Sequence, residues 1–224
     1  MDKWQSIWSK KDLGPNSTPS LNNLIVANGF DTGVGSYSED KWREMVFDFL
    51  KRTNFTENAT VLELGCGSGA FLFALNELVK ADYFGLDYSP SLINIAKTAL
   101  PKAHLVAKEA KSSVFDDVYF DIIFSHSVFQ YFPSMVYAED VITMWCKKIK
   151  QGGKLVLLDI NDKEKEDDYH NERMLAYRNP SEYYKTYEGL SHLFFDKVRL
   201  REILKKCGMK EIEMFPHAVA DYGN

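Results

Sequence analysis

Three closely spaced glycines, Gly65, Gly67 and Gly69, restrict the fold of this chain more than any other feature. The preceding residues 60–64 (TVLEL) are apolar and partly β-branched, as in a buried strand. Residues 70–80 then carry apolar side chains at helical spacing. Glycines between them allow a sharp backbone turn and let a ligand approach the main chain without a Cβ in the way. The sequence therefore predicts a strand, a ligand-binding loop and a helix in succession.

The alternation of apolar strands and amphipathic helices continues along the chain. Near-continuous apolar strands separated by helices are typical of a parallel sheet that is covered on both faces. We therefore predict an α/β fold with a doubly wound, mostly parallel sheet, and a tight turn at residues 151–153. The predicted strands are residues 60–64, 82–87, 104–108, 120–125, 154–159 and 209–215, and the predicted helices are residues 39–51, 70–80, 90–100, 138–149 and 196–207.

We expect one domain over residues 1–224, in four parts that differ in composition. Residues 1–52 would form an N-terminal arm or lid, and residues 60–160 the core with the glycine loop. Residues 161–195, which begin with a charge run and are dense in tyrosine and histidine, would form a cap insertion over the substrate. Residues 196–224 would add a C-terminal helix and strand.

Composition and charge narrow the classes of partner. The chain of 224 residues has 27 basic and 32 acidic side chains, a net charge of −5, which argues against nucleic acid or an anionic membrane surface as its partner. Three widely spaced cysteines are typical of reduced thiols rather than of a disulfide framework. The sequence has no apolar run of membrane-spanning length and no signal peptide, so we expect a soluble cytoplasmic protein, monomeric or homodimeric. Trp4, Ile7 and Trp8 share one face of a short helix that would pack onto the domain.

An acidic residue stands where the second predicted strand ends. Asp87 follows Gly69 by eighteen residues, a position from which a carboxylate can accept hydrogen bonds from both ribose hydroxyls of an adenosine. With Ala70, the glycines also satisfy the dinucleotide pattern G-x-G-x-x-G/A, so a nicotinamide-dependent oxidoreductase is one alternative. Another is that Asp87 merely caps the helix that begins near Ser89.

Four motifs, in order, resemble those of the class I S-adenosylmethionine-dependent methyltransferases, in particular those that act on small molecules. The motifs are VLELGCGSG (61–69), LDYSPSLINIAK (86–97), FDIIFSHSVFQYF (120–132) and IKQGGKLVLLDI (149–160). The resemblance covers residues 37–215 and implies a Rossmann-like fold with S-adenosylmethionine as cofactor. It also implies that the family's last antiparallel strand is missing, because only nine residues follow residue 215. A catalytically silent scaffold that keeps this fold is the remaining alternative.

The resemblance assigns cofactor contacts by position. S-Adenosylmethionine carries no phosphate, and its ammonium group needs hydrogen-bond acceptors, whereas a dinucleotide's pyrophosphate needs donors. The implied contacts are with the methionyl part (Glu63, Gly65, Cys66, Gly67, Ser125), the ribose (Asp87), the adenine (Tyr88, Glu109, Ala110) and the cofactor carboxylate (Tyr37, with Arg43 as the alternative).

Candidate residues for the methyl acceptor follow the fourth strand and lie in the insertion. Methyl transfer is an in-line displacement that depends mainly on alignment, and a base is needed only where the acceptor must lose a proton. His126 is the first candidate for a base or orienting group, with Tyr131 and His192 beside it; a purely structural His126 is the alternative. The five histidines show no metal-binding spacing, so we predict no metal. We expect transfer to an O or N atom of a sugar, secondary metabolite or amine held by aromatic walls.

Overall fold

The computed structural model describes residues 3–11, 19–31, 36–112, 114–175 and 177–217. Its helices are α1 (Lys3–Trp8), α2 (Leu21–Ala27), α3 (Glu39–Thr53), α4 (Ala70–Leu78), α5 (Pro90–Ala99), α6 (Met135–Cys146), α7 (Glu166–Met174), α8 (Pro180–Thr186) and α9 (Lys197–Lys206). Its strands are β1 (Thr60–Leu64), β2 (Asp82–Asp87), β3 (His104–Ala107), β4 (Phe120–His126) and β5 (Ile149–Leu158). Single 3₁₀ turns lie at Phe129–Tyr131 and Lys163–Lys165.

The strands form one parallel sheet in the order β3-β2-β1-β4-β5 within the described residues. The chain leaves β1 toward β2 and β3 on one side and returns to β4 and β5 on the other. The strand order therefore reverses between β1 and β4, and ligands of such sheets bind at the carboxyl ends of the strands beside this point. The predicted α/β, doubly wound fold is confirmed.

Helices cover both faces of the sheet. Successive residues of β1 point to opposite sides, so each side of this strand packs against a different layer of helices. Val61 packs in a cluster with Trp42 of α3 and Phe71 of α4. Leu62 packs on the other face, with Trp145 of α6 and with side chains of α9. None of the helices in the described part of the chain is both long and apolar enough to span a bilayer.

One correction concerns the segment after α6. We predicted a helix to residue 149, a turn at 151–153 and a strand from residue 154, but one strand occupies Ile149–Leu158. Ile149 pairs with Phe120 and Lys154 with Ile122, so the register shifts between these pairs. Gly152, with φ of +81°, lies in this irregularity. The extra residues form a bulge that the glycines permit without ending the strand.

The predicted strand at residues 209–215 is wrong as well, because this segment pairs with no described strand. Burial alternates only over residues 211–215, where Ile212 and Met214 are partly buried and Phe215 is 42% exposed. Met209 also packs against the core, but it is out of step with this pattern. Nη1 of Arg201 in α9 donates to the Ile212 carbonyl at 2.9 Å. The segment is therefore held by packing against the helical layer, without a strand ladder.

The N-terminal arm and the insertion both contain helices. We expect a helical arm, and it contains α2, whose first turn is capped by Ser20 and which buries Leu24 and Ile25. The insertion contains α7 and α8, and the charge run forms the 3₁₀ turn and the start of α7. Asn and Asp side chains leave the bounds of such helices open in the sequence, because they favour turns as readily as helix starts.

Candidate active site

A cavity of about 280 Å³ lies at the carboxyl ends of β1, β2, β3 and β4. This is the edge of the sheet at which the sequence predicted a ligand. The cavity is lined by nine of the predicted site residues: Glu63, Gly65, Gly67, Asp87, Tyr88, Glu109, Ala110, His126 and Tyr131.

At two positions the glycine loop passes too close to its neighbours to carry a side chain. A Cβ on Gly65 would lie 2.3 Å from Val128 Cγ2, and one on Gly67 would lie 2.4 Å from Asn28 Oδ1. Both glycines also have positive φ, +74° and +52°, which other residues adopt at a cost. Asn28 Oδ1 accepts a hydrogen bond from the Ser68 amide at 2.8 Å. The loop is thereby held against the N-terminal arm, with its backbone facing the cavity.

The carboxylate of Asp87 binds the backbone of the glycine loop and of the segment before α5. Its Oδ2 accepts from the Gly67 amide at 3.0 Å and its Oδ1 from the Ser89 amide at 2.8 Å. The helix cap of α5 is Ser89, whose Oγ accepts from the Leu92 amide. Asp87 is therefore not the cap of α5. The pKa of Asp87 is raised to about 6 because the buried carboxylate is poorly solvated.

Glu63 is a second buried carboxylate beside the first. Its side chain lines the cavity and the residue is only 3% exposed. Its Oε2 has no hydrogen-bond partner in the described structure. Burial, and then the charge of Asp87, hold the pKa of Glu63 well above its usual range. A buried carboxylate oxygen without a donor is costly, so this position fits a ligand that brings a cationic or N–H group.

His126 sits in an aromatic box at the end of β4. Rings of Phe30, Trp42 and Phe71 have centroids 5.5, 5.2 and 5.6 Å from the imidazole. Burial, with a smaller contribution from His217, lowers the pKa of His126 to about 3. The neutral imidazole lines the cavity, and its Nε2 has no partner among the described residues. It is thus available to accept a hydrogen bond, whereas burial disfavours its taking up a proton.

The side chains of four predicted cofactor contacts lie away from the cavity. Tyr37 bonds through its hydroxyl to His217 Nε2 at 2.9 Å and packs on the Trp42 side of the His126 box. Cys66 is buried in the hydrophobic core. Ser125 Oγ donates to the Leu64 carbonyl at 2.9 Å. Arg43 forms partly exposed ion pairs with Glu39 of its own helix and with Glu77 of α4.

The similarity of the chain to a known protein family agrees with this geometry. Residues 62–157, which run from β1 to β5, match the family described as a methyltransferase domain. Together with the five-stranded parallel sheet, this decides the assignment. Residues 62–157 thus form a methyltransferase domain, and the chain is an S-adenosylmethionine-dependent methyltransferase with the class I, Rossmann-like fold. The cofactor of this class is S-adenosylmethionine.

Two curated relatives indicate how far the similarity extends. This methyltransferase is 24% identical over 238 residues to the demethylmenaquinone methyltransferase of Oceanobacillus iheyensis, covering 94% of this chain and 87% of that protein. It is 26% identical over 153 residues to the ribosomal protein L11 methyltransferase of Dechloromonas aromatica, covering 68% of this chain but 48% of that protein. The chain spans about half the length of the L11 enzymes that it matches.

Solved structures share the fold of this methyltransferase at low sequence identity. A Methanococcus maripaludis protein assigned to the S-adenosylmethionine-dependent methyltransferases superposes with a TM-score of 0.60 at 17% identity, covering 94% of this chain and 93% of that one. Phosphoethanolamine N-methyltransferase 2 of Haemonchus contortus, in complex with S-adenosylmethionine, gives 0.57 at 15% identity, covering 86% and 42%. At these identities the likeness is one of fold.

The N-terminal helix and the insertion form a wall that sequence reasoning largely missed. Trp4 of α1 stacks on His192 with ring centroids 4.9 Å apart, and its edge meets Tyr131. Trp8 also contacts the Tyr131 ring, and its carbonyl accepts from Ser89 Oγ at 3.2 Å. The predicted apolar face of α1 does pack onto the domain through its tryptophans, and both of them line the cavity. Their helical spacing was the only signal available in the sequence.

His192 lies one aromatic layer behind the cavity. Its ring centroid is 5.1 Å from that of Tyr131, and its Nδ1 is hydrogen-bonded to the Tyr169 hydroxyl. Burial, followed by the charge of Arg173, lowers the pKa of His192 to about 3. Burial also raises the pKa of Tyr131 above its ordinary value. Both groups are therefore neutral near pH 7. Within the described residues no three His, Cys, Asp or Glu side chains gather as metal ligands.

Proposed function

We propose that this methyltransferase transfers a methyl group from S-adenosylmethionine to an O or N atom of a small molecule by metal-independent, in-line displacement. When bound, the cofactor supplies a methyl group already activated by a sulfonium centre, so the protein's task is mainly alignment. The observation that carries the proposal is the pair of buried carboxylates, Glu63 and Asp87, that flank the glycine loop in one cavity.

The pair favours S-adenosylmethionine over a nicotinamide dinucleotide. The unpartnered Oε2 of Glu63 would accept from the methionyl ammonium group, and the remaining lone pairs of Asp87 would accept from the ribose hydroxyls. Glu109 and Ala110, also on the cavity wall, would meet the adenine, with Tyr88 beside it. A pyrophosphate in the same place would face the negative charge of Asp87 and the acceptor oxygens of Glu63, neither of which binds it.

The part of the cavity near His126, where the methyl acceptor would bind, favours a small molecule as the acceptor. His126 would accept a hydrogen bond from an acceptor hydroxyl or amine through its free Nε2 and so orient the nucleophilic atom toward the methyl group. Tyr131 and the α1 tryptophans enclose the space beside it, which leaves little access for a folded protein substrate. The relative matched over nearly its full length is named for demethylmenaquinone, a small molecule. The L11 methyltransferases are matched over only about half of their length.

Isothermal titration of the purified protein tests the cofactor assignment. S-Adenosylmethionine and its demethylated product S-adenosylhomocysteine should each bind one to one, and NADH should not bind. Binding of NADH alone would establish the oxidoreductase alternative. A transfer assay with panels of phenols, amines and sugars then follows, with ribosomal protein as the competing acceptor class. Cofactor binding without transfer to any acceptor would favour the silent scaffold.

Cofactor affinity should fall as the pH drops below about 6. In the free protein, burial raises the pKa of Asp87 to about 6 and raises that of Glu63 well above normal. A cationic ligand and ribose hydroxyls favour the ionised carboxylates, so binding must remove a proton from Glu63 wherever it is protonated in the free protein and, below about pH 6, from Asp87 as well. Each further pH unit should cost up to about tenfold in affinity per group. Titration of S-adenosylhomocysteine at pH 5, 6 and 7.5, in buffers of different ionisation enthalpy, should show proton release; pH-independent affinity would contradict the expectation.

A further inference from the structure

We propose that Arg173 forms an anion subsite in the insertion, and that the methyl acceptor carries a carboxylate or phosphate group that binds there. This inference rests on the proposed function, since it names a chemical feature of the acceptor. Arg173 lies on α7 and is only partly exposed to solvent.

The guanidinium of Arg173 lacks a counter-ion in the described part of the chain. Its central carbon lies 4.3 Å from the centroid of the Tyr169 ring, and its Nε is buried without a hydrogen-bond partner. Elsewhere, Arg43 and Arg52 pair with carboxylates at 2.6 Å even though they are on the surface. An aromatic face attracts a cation but does not neutralise it. A partly desolvated guanidinium without a carboxylate is therefore poised for an external anion.

The surroundings of Arg173 provide further polar groups and a second unsatisfied nitrogen. The Tyr187 side chain lies close to the guanidinium of Arg173. The hydroxyl of Tyr169, beneath the guanidinium, is bonded to His192 Nδ1, and His192 Nε2 is buried with no partner in the described structure. Neutral imidazole and phenol groups can donate to an anion without adding charge. The fixed fork of a guanidinium matches two oxygens of a carboxylate or a phosphate.

Packed aromatic rings lie between this subsite and the methyl-transfer cavity. The rings of Tyr169 and His192 have centroids 5.8 Å apart, and those of His192 and Tyr131 are 5.1 Å apart. Tyr131 lines the cavity itself. An acceptor that places its nucleophilic atom near His126 would reach Arg173 where the Tyr131 and His192 rings move apart on binding. The anion would then hold the far end of the acceptor and fix its direction of approach.

Titration of simple anions into the full-length protein, saturated with S-adenosylhomocysteine, tests the subsite. The probes are inorganic phosphate and benzoate, with neutral benzamide as the uncharged control. At least one anion should bind to the wild-type protein, and benzamide should bind more weakly. Arg173→Gln should weaken anion binding on the order of ten- to a hundredfold, the usual effect of losing hydrogen bonds to a charged group. Arg178→Gln, which changes an exposed arginine of the same insertion, should bind as the wild type does.

The outcomes separate the subsite from the proposed function. Preference for phosphate or for benzoate identifies which anion the acceptor carries. If neither anion binds, or if Arg173→Gln binds them as tightly as the wild type, the subsite is refuted. Arg173→Met, which keeps the volume of the aliphatic stem, repeats the test should the glutamine variant be unstable. Affinity for S-adenosylhomocysteine should be unchanged in both variants. If the wild-type protein itself does not bind S-adenosylhomocysteine, the proposed function is refuted instead.

Discussion

Replacing Asp87 with alanine is expected to weaken S-adenosylhomocysteine binding by roughly 10²- to 10⁴-fold. Two hydrogen bonds to a charged group are worth about 1.5–3 kcal/mol each, and both ribose contacts proposed for Asp87 would be lost. The carboxylate also holds the cavity in shape, because it accepts from the Gly67 amide at 3.0 Å and the Ser89 amide at 2.8 Å. The substitution would thus remove the ligand contacts and loosen the glycine loop together.

Two further variants separate these contributions. Asp87→Asn keeps the side-chain volume and one acceptor oxygen, so it should bind more tightly than the alanine variant and lose the pH dependence that this carboxyl causes. Asp82→Ala, at the exposed start of the same strand, removes only a surface contact with His104 at 3.3 Å and should leave affinity unchanged. Melting temperatures report on the loop. Wild-type affinity in Asp87→Ala would show that the ribose does not bind here.

The central part of the fold could be predicted because its signals are local. β1 and β2 have the predicted bounds, since each is a short apolar run, and the first ends at glycines that other residues could not replace. The placement of Glu63 and Asp87 followed from that, because the carboxyl ends of adjacent parallel strands meet at one edge of the sheet. Nine predicted site residues accordingly line the cavity.

The parts that were not predicted depend on contacts between distant residues. The alternation of residues 209–215 does not reveal whether a partner strand exists, and here the segment packs on helices instead. The bulge of β5 depends on its pairing with β4. Similarly, Trp4 and Trp42 reach the cavity from the N-terminal arm, whose sequence indicated only helical faces. Hydrophobic spacing identifies which face of a helix is buried but not which surface it meets.

Replacing His126 with phenylalanine is expected to lower kcat on the order of 10²-fold, because the acceptor loses the hydrogen bond that aligns its nucleophilic atom with the methyl group. Phenylalanine keeps a ring among Phe30, Trp42 and Phe71 but removes the free Nε2. The aromatic box should therefore persist, and the affinity for S-adenosylhomocysteine should change far less than turnover. Single-turnover kinetics with the cofactor pre-bound would measure the effect on the chemical step.

The pH profile distinguishes a buried, neutral hydrogen-bond acceptor from an ordinary histidine. Burial lowers the pKa of His126 to about 3, so the imidazole stays unprotonated throughout the range in which the protein can be assayed. Once the cofactor is saturating, kcat should show no acid limb near pH 6.5, the pKa of an exposed histidine. His104→Phe changes a histidine whose side chain is 60% exposed and should keep full activity. Full turnover in His126→Phe would remove this residue from the mechanism, whereas an acid limb near pH 6.5 that His126→Phe abolishes would mean that His126 becomes solvated when the acceptor binds.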